Sequence, residues 1–296
     1  MPVLWRRLFS MEKLVKLIYH YHSGFSLQAG GTLLIFDYWE GEDRCLGAAG
    51  RITPQFLKAF EQIFVFISHA HPDHLDPIVY TWKNENLPIT YIVSSDMPVG
   101  TGGKRIAPGQ TKQLTPDLSV KAFPSTDLGV SFLVNIYGLK IFHAGDLNLW
   151  HWRQESTLRE IEAAEKAFYE ATEPIKQENI DVAMFPVDPR QGMMYDAGAN
   201  QFILTMKPRI FIPMHWQERP EVAIDFARRS RNAQTEVLAL TRPGVVANLS
   251  FTEALIDIHI IEPPKDLEDL PSAAPRSNET DETDPFSDTD LPVDIQ

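Results

Sequence analysis

The chain has 296 residues, 44% hydrophobic and 23% charged, with a formal net charge of −13. That length suits one large α/β domain or two small ones and buries a sizeable core. The single cysteine, Cys45, excludes an intrachain disulfide and a cysteine-held metal cluster, and no apolar run reaches the roughly 20 residues of a membrane span.

Residues 1–10 read as a loose extension ahead of Met11, with basic residues but neither the apolar core nor the small-residue cleavage site of a signal peptide. A cytoplasmic protein is expected. Residues 11–262 form the expected folded body. Short apolar runs set off by turn residues predict strands over residues 15–21, 25–28, 32–37, 63–68, 89–93, 118–123, 131–136, 139–143, 181–185, 209–213, 236–240 and 245–251. Gly100 to Arg105 lacks the spacing of a phosphate loop and reads as a turn. Helices are predicted over 54–62, 77–83, 156–172, 196–206 and 220–232. The third is the clearest: Leu158, Ile161, Ala164, Phe168 and Ala171 recur at steps of three or four, Thr157 and Glu160 fit a capping box, and Pro174 ends it.

Beyond Glu262 the composition changes. Residues 263–296 carry six prolines and ten acidic residues against Lys265 and Arg276, leaving a charge of only −5 on the body. Such a tail cannot bury enough surface to offset its ordering entropy, so it is expected to be disordered. A mildly acidic body offers no electrostatic footprint for nucleic acid, which makes a nuclease a weak reading.

The densest chemistry lies at Ile63-Phe-Val-Phe-Ile-Ser-His-Ala-His-Pro-Asp-His74. A buried strand ends at Ser68, and His69, His71, Asp73 and His74 follow within six residues. Residues i and i+2 at a strand end point the same way, so His69 and His71 can grip one ion, and the turn at Pro72 swings Asp73 and His74 to a second. Imidazole and carboxylate suit zinc, manganese or iron. A polar loop that merely happens to be His-rich would leave clustered imidazoles without partners.

The His-x-His-x-Asp-His segment after an apolar strand resembles the signature of the metallo-β-lactamase superfamily. Tyr21-His-Ser-Gly-Phe25 and Leu33-Leu-Ile-Phe-Asp37 are similar to the opening strands of its lactonase-like branch. Ile141-Phe-His-Ala-Gly-Asp146 and Ile212-Pro-Met-His215 are similar to its later ligand-bearing strand ends. The resemblance implies a four-layer αββα sandwich and two divalent ions, zinc in the first instance, with manganese or iron as alternatives. It implies His69, His71 and Asp146 on one ion, and Asp73, His74, Asp146 and His215 on the other. The family's third histidine on the first ion is missing. Asp127, ahead of the strand at Ser131, is the best replacement, with Ser125 and Thr126 behind it; an Asp that only caps its own turn is the competing reading. A carboxylate there would favour manganese or iron relative to zinc, whereas with no replacement the first ion is expected to be weakly held or the site mononuclear.

The implied chemistry is attack by a metal-activated hydroxide on a small ester, lactone or phosphoester, with Asp73 orienting the nucleophile. His151, between Trp150 and Trp152, is a candidate proton donor or substrate contact, or else a surface turn residue, and Trp150 a binding wall. Asp188 and Arg190 are candidate substrate contacts, or else a local turn pair. His22 either lines the site or is structural, His143 should point away from the ions or be packed, and His20 and His259 look structural. The alternative of a different class is a non-catalytic, metal-binding regulatory protein.

Overall fold

The computed structural model describes residues 13–42, 46–152, 155–252 and 255–263. Cys45, the expected extension 1–10 and the expected tail, apart from Pro263, lie outside the described residues. Alternate side chains of an extended chain point to opposite faces, and the central strands use both. In β3 (Thr32–Phe36), Leu34 and Phe36 enter one hydrophobic cluster and Leu33 and Ile35 another. In β4 (Gln62–Ile67), Phe64 and Phe66 join the first, and Ile63, Val65 and Ile67 the second. Burial on both faces is why these strands read as unbroken apolar runs.

The first cluster fills the space between two mixed sheets and continues beneath the helices that cover one of them. One has eight strands: β1 (Lys13–Tyr21), β2 (Gly24–Ala29), β3, β4, β5 (Ile89–Ser94), β6 (Lys104–Ile106), β14 (Val246–Phe251) and β15 (Ile256–Ile261), in the order β15-β14-β1-β2-β3-β4-β5-β6. The other has seven: β7 (Thr111–Thr115), β8 (Leu118–Pro124), β9 (Val130–Ile136), β10 (Leu139–His143), β11 (Val182–Pro186), β12 (Ile210–Met214) and β13 (Glu236–Val237), in the order β13-β12-β11-β10-β9-β8-β7. Phe66 meets Phe132 across the gap, ring centroids 5.5 Å apart. The second cluster takes Leu57 of α1 (Pro54–Leu57) and Val79 of α2 (Ile78–Thr81). Phe168 of α3 (Leu158–Thr172), Phe202 of α4 (Ala197–Met206) and Phe226 of α5 (Pro220–Ser230) belong to the first. Helices outside two facing sheets give the expected αββα sandwich.

The pairing of β3 with β4, and of β10 with β11 and β12, is parallel throughout. Their carboxyl ends therefore come out on one side, where ligand sites of parallel sheets form. Among the described residues, no helix is long and apolar enough to cross a membrane.

Several predicted bounds shift. The helix expected over 54–62 stops at Leu57, and Gln62 already belongs to β4; the strand expected over 236–240 shortens to Glu236–Val237. The turn at Gly100 leads into β6, which takes Lys104 and Arg105. Strands β6, β7 and β15 were not predicted; β7 is a polar edge strand, Thr-Lys-Gln-Leu-Thr, with no apolar alternation to read. In α3 the capping box of Thr157 and Glu160 is present, but Leu158 is 70% exposed, so the buried face starts a turn later than expected.

Candidate metal centre

Six chain segments meet at one edge of the sandwich. His22 sits in the turn between β1 and β2; Asp37 follows β3; His69, His71, Asp73 and His74 follow β4; Asp146 follows β10; Asp188 follows β11; and His215 follows β12. His22, Asp37 and His215 all have left-handed backbones, with φ of 53°, 39° and 62°. That conformation is strained for residues other than glycine and is characteristic of functional sites. The His215 amide donates to the His22 carbonyl at 3.3 Å, locking the two turns together. Gly145 (φ 55°) lets the β10 end approach β4, because a Cβ there would lie 2.8 Å from Ser68 Cβ.

The imidazoles are aimed by partners behind them. His74 Nδ1 lies 2.8 Å from Asp37 Oδ2, and His215 Nδ1 lies 2.9 Å from Asp188 Oδ2. Ser68 Oγ donates to Asp37 Oδ2 at 2.5 Å, which uses its only proton, so it accepts from His69 Nδ1 at 2.9 Å. In each case the proton sits on Nδ1 and the Nε2 lone pair faces inward.

Two groups of donors result. In the outer one, His69 Nε2 lies 2.9 Å from His71 Nδ1 and 3.3 Å from Asp146 Oδ2, and His71 Nδ1 lies 3.7 Å from the same oxygen. In the inner one, His22, Asp73, His74 and His215 present ligand atoms all within 4.8 Å of one another. Asp146 stands between them: its other oxygen, Oδ1, lies 2.9 Å from His74 Nε2 and 3.5 Å from His215 Nε2. His22 Nε2, His74 Nε2, His215 Nε2 and Asp146 Oδ1 are buried and make no hydrogen bond despite this proximity. Buried lone pairs converging without donors are costly, and a cation is what satisfies them. The donor set thus fits divalent ions.

With no ion between them, these groups act on one another. Burial works against charge on Asp146, yet His74 and His215 outweigh it and hold the carboxyl well below its ordinary range. Burial likewise opposes charge on His74, but Asp146 and Asp37 on either side raise its pKa well above the usual value. His22 goes the other way, pushed down to about 4 by burial and by its neighbour His215.

Residues 49–216, more than half of the chain, match the family model described as the beta-lactamase superfamily domain. The chain belongs to the metallo-β-lactamase superfamily. A UPF0173 metal-dependent hydrolase of Symbiobacterium thermophilum is 25% identical over 239 residues, 75% of this chain and 95% of that protein. Another from Deinococcus radiodurans is 26% identical, over 77% of this chain and 96% of that one. Among solved structures, the metallo hydrolase Igni18 of Ignicoccus hospitalis superposes with a TM-score of 0.58 at 21% identity, covering 81% of this chain and all of that one.

Within this metallo-β-lactamase fold, the expected ligands His69, His71, Asp73, His74, Asp146 and His215 come together. Asp127 does not join either group. It is exposed, and its Oδ1 accepts the Leu128 amide at 2.8 Å, the turn-capping reading; the protonated form of His71 is favoured chiefly by Asp146, against burial, with Asp127 adding to it. Asp188 is not open to substrate: it is fully buried, and both oxygens are taken by His215 and by Arg190, whose Nε lies 2.9 Å from Oδ2. Arg190 itself is more than half exposed. Trp150 donates from Nε1 to the Asp146 carbonyl at 2.7 Å, with its ring 5.9 Å from that of His215 and 6.3 Å from that of Trp152. His151 is no surface residue: it is 2% exposed, and neither ring nitrogen has a partner among the described residues. His143 is packed, as expected, stacked on Phe36 with Nε2 on the Ser23 carbonyl at 2.8 Å. Two site residues escaped the sequence reading in their roles: His22 stands in the inner group, and Asp37 orients His74.

Proposed function

We propose that this metal-dependent hydrolase of the metallo-β-lactamase superfamily cleaves a small ester, lactone or phosphoester at the cluster around Asp146. The observation that carries the reading is the convergence of four buried, unpartnered atoms, His22 Nε2, His74 Nε2, His215 Nε2 and Asp146 Oδ1. The outer group (His69, His71, Asp146) and the inner group (His22, Asp73, His74, His215) are assigned to two divalent ions, zinc on the strength of the imidazole-rich donor set. When bound, such ions supply Lewis acidity and bring the pKa of a coordinated water down to about 7.

The chain's own residues do the rest. Asp73 is the one inner carboxylate that reaches solvent, 32% exposed, and orients the attacking water by accepting its hydrogen bond. Asp37, Ser68 and Asp188 fix the imidazoles, so no reorganisation is needed during reaction. Trp39, 5.7 Å from His22, and Trp150, 5.9 Å from His215 and beside Trp152, are assigned to the apolar wall of the substrate site. Arg190, tethered at Nε and Nη2 by Asp188, which with Asp73 and Asp146 holds the guanidinium in its charged form, is assigned to pair with an anionic group of the substrate. His151 is assigned the proton to the leaving group. The single cysteine and acidic body suit the cytoplasm.

The test is a panel of chromogenic esters, lactones and phosphodiesters run on the zinc-reconstituted full chain and on His69→Ala. Metal-dependent turnover that His69→Ala abolishes supports the reading. Two bound ions with no turnover of any substrate class would instead favour a non-catalytic, regulatory protein.

A further inference from the structure

The two donor groups differ in how completely they surround an ion. The inner group has four protein donors before Asp146 is counted. His22 Nε2 and His215 Nε2 lie 3.3 and 3.8 Å from Asp73 Oδ2, close to the ~3.4 Å edge of a tetrahedron with ~2.1 Å bonds. The rings of His22 and His215 are 4.1 Å apart, both backbones are left-handed, and a backbone hydrogen bond joins their turns. The outer group has three donors, His69, His71 and Asp146. Among the described residues nothing completes it, since the Asp127 carboxylate caps its own turn. His71 is also the most open histidine of the two groups, with its side chain 40% exposed.

We infer that the two positions bind metal unequally: the inner ion is closed off by four protein donors including His22 and is held tightly, whereas the outer ion, with three donors and an open corner, exchanges and is the one that meets substrate. Four protein ligands are the pattern of structural zinc sites, and three with an open position the pattern of catalytic ones. His22 thus takes a ligand's place in the inner group while the first ion goes without the family's third histidine. The loading order follows: the inner position fills first and survives desalting, and the outer one fills only with metal in excess. This inference rests on the reading of the cluster as a metal centre.

The experiment is a Co2+ titration of the metal-free full chain, followed by its visible absorption and by elemental analysis after gel filtration. Expected in the native chain is one retained equivalent with intense four-coordinate absorption, then a second, weaker step. His22→Asn, which tolerates a left-handed backbone, should lose the tight step by more than the roughly 10–100-fold that removal of a ligand's outer partner costs. His71→Ala should lose the weak step and keep the tight one. Circular dichroism confirms that each variant is folded; should His22→Asn not fold, His22→Gln replaces it. Equal affinity for two ions in the native chain, or an unchanged tight step in the folded His22 variant, overturns the inference and leaves the hydrolase reading standing. No bound cobalt at all in the native chain overturns both.

Discussion

His215 and Asp188 form a buried pair, Nδ1 to Oδ2 at 2.9 Å, in which the carboxylate is also held by Arg190. Burial opposes charge on Asp188, but His215 and Arg190 bring its pKa down to about 2, so it is anionic at any working pH. Asp188→Asn keeps the shape and removes the charge. Metal affinity at the inner group should fall about 10–100-fold with little change in fold, read by metal titration beside far-ultraviolet circular dichroism. Unchanged affinity would show that His215 needs no such support.

Asp37 carries more. Its carboxylate accepts from the Ser68 amide at 2.8 Å, from Ser68 Oγ and from His74 Nδ1, all in a fully buried setting. Asp37→Ala leaves those donors unpaired, at a cost of about 3–5 kcal/mol. Thermal unfolding of the metal-free protein should show a clear drop in Tm. A shift no larger than that of a surface substitution would contradict the arrangement.

Gly145→Ala tests the close approach of the two sheet ends. The new Cβ would meet Ser68 Cβ at 2.8 Å and Oγ at 2.9 Å in a left-handed backbone. Gly30, also left-handed, has its nearest neighbour at 3.9 Å, so Gly30→Ala reports the backbone strain alone. We expect Gly30→Ala to cost ~1 kcal/mol and Gly145→Ala about 1–3 kcal/mol more. Denaturant melts of the two variants make the comparison. Equal costs would mean that Ser68 yields freely.

A pH effect follows from His20, which is fully enclosed, with Nδ1 on the Gly50 carbonyl at 2.6 Å and Nε2 on Ser26 Oγ at 2.8 Å. Burial lowers its pKa to about 4, from about 6.5 in the unfolded chain. The unfolded state therefore takes up a proton first as the pH falls. The contribution of His20 is complete above pH 6.5, is lost progressively down to pH 4, and amounts to roughly 3 kcal/mol. Stability of the native chain and of His20→Gln, measured across that window, should differ in slope; parallel curves would remove His20 as the source.

Much of this was legible in the sequence because the chemistry is local. Four candidate ligands fall within six residues behind an apolar strand, and Asp146 and His215 each end another such run. Asp37 also ends one, after Leu33-Leu-Ile-Phe36, and that shared pattern was the available signal for its place at the site. Its role was hidden because it depends on β3 lying beside β4, a tertiary fact. His22 was underrated for a similar reason: only the β1–β2 turn meeting the end of β12 brings it to His215. Asp127 shows the converse. Its position along the chain was right for a ligand, but sequence spacing does not say which way a turn faces. The short polar strand β7 and the abbreviated α1 were set by pairing and packing that no local periodicity records.

Asp146 and His215 follow strands of the seven-stranded sheet, whereas the other side chains of the two donor groups hang from the eight-stranded one. Any cation seated among them is consequently a staple between the two halves of the sandwich, adding RT ln(1 + [M]/Kd) to the stability of the closed form. Chelation should do more than silence chemistry: it should let this rim of the molecule gape, with backbone amides near Ser68 and Gly145 the first to exchange with solvent.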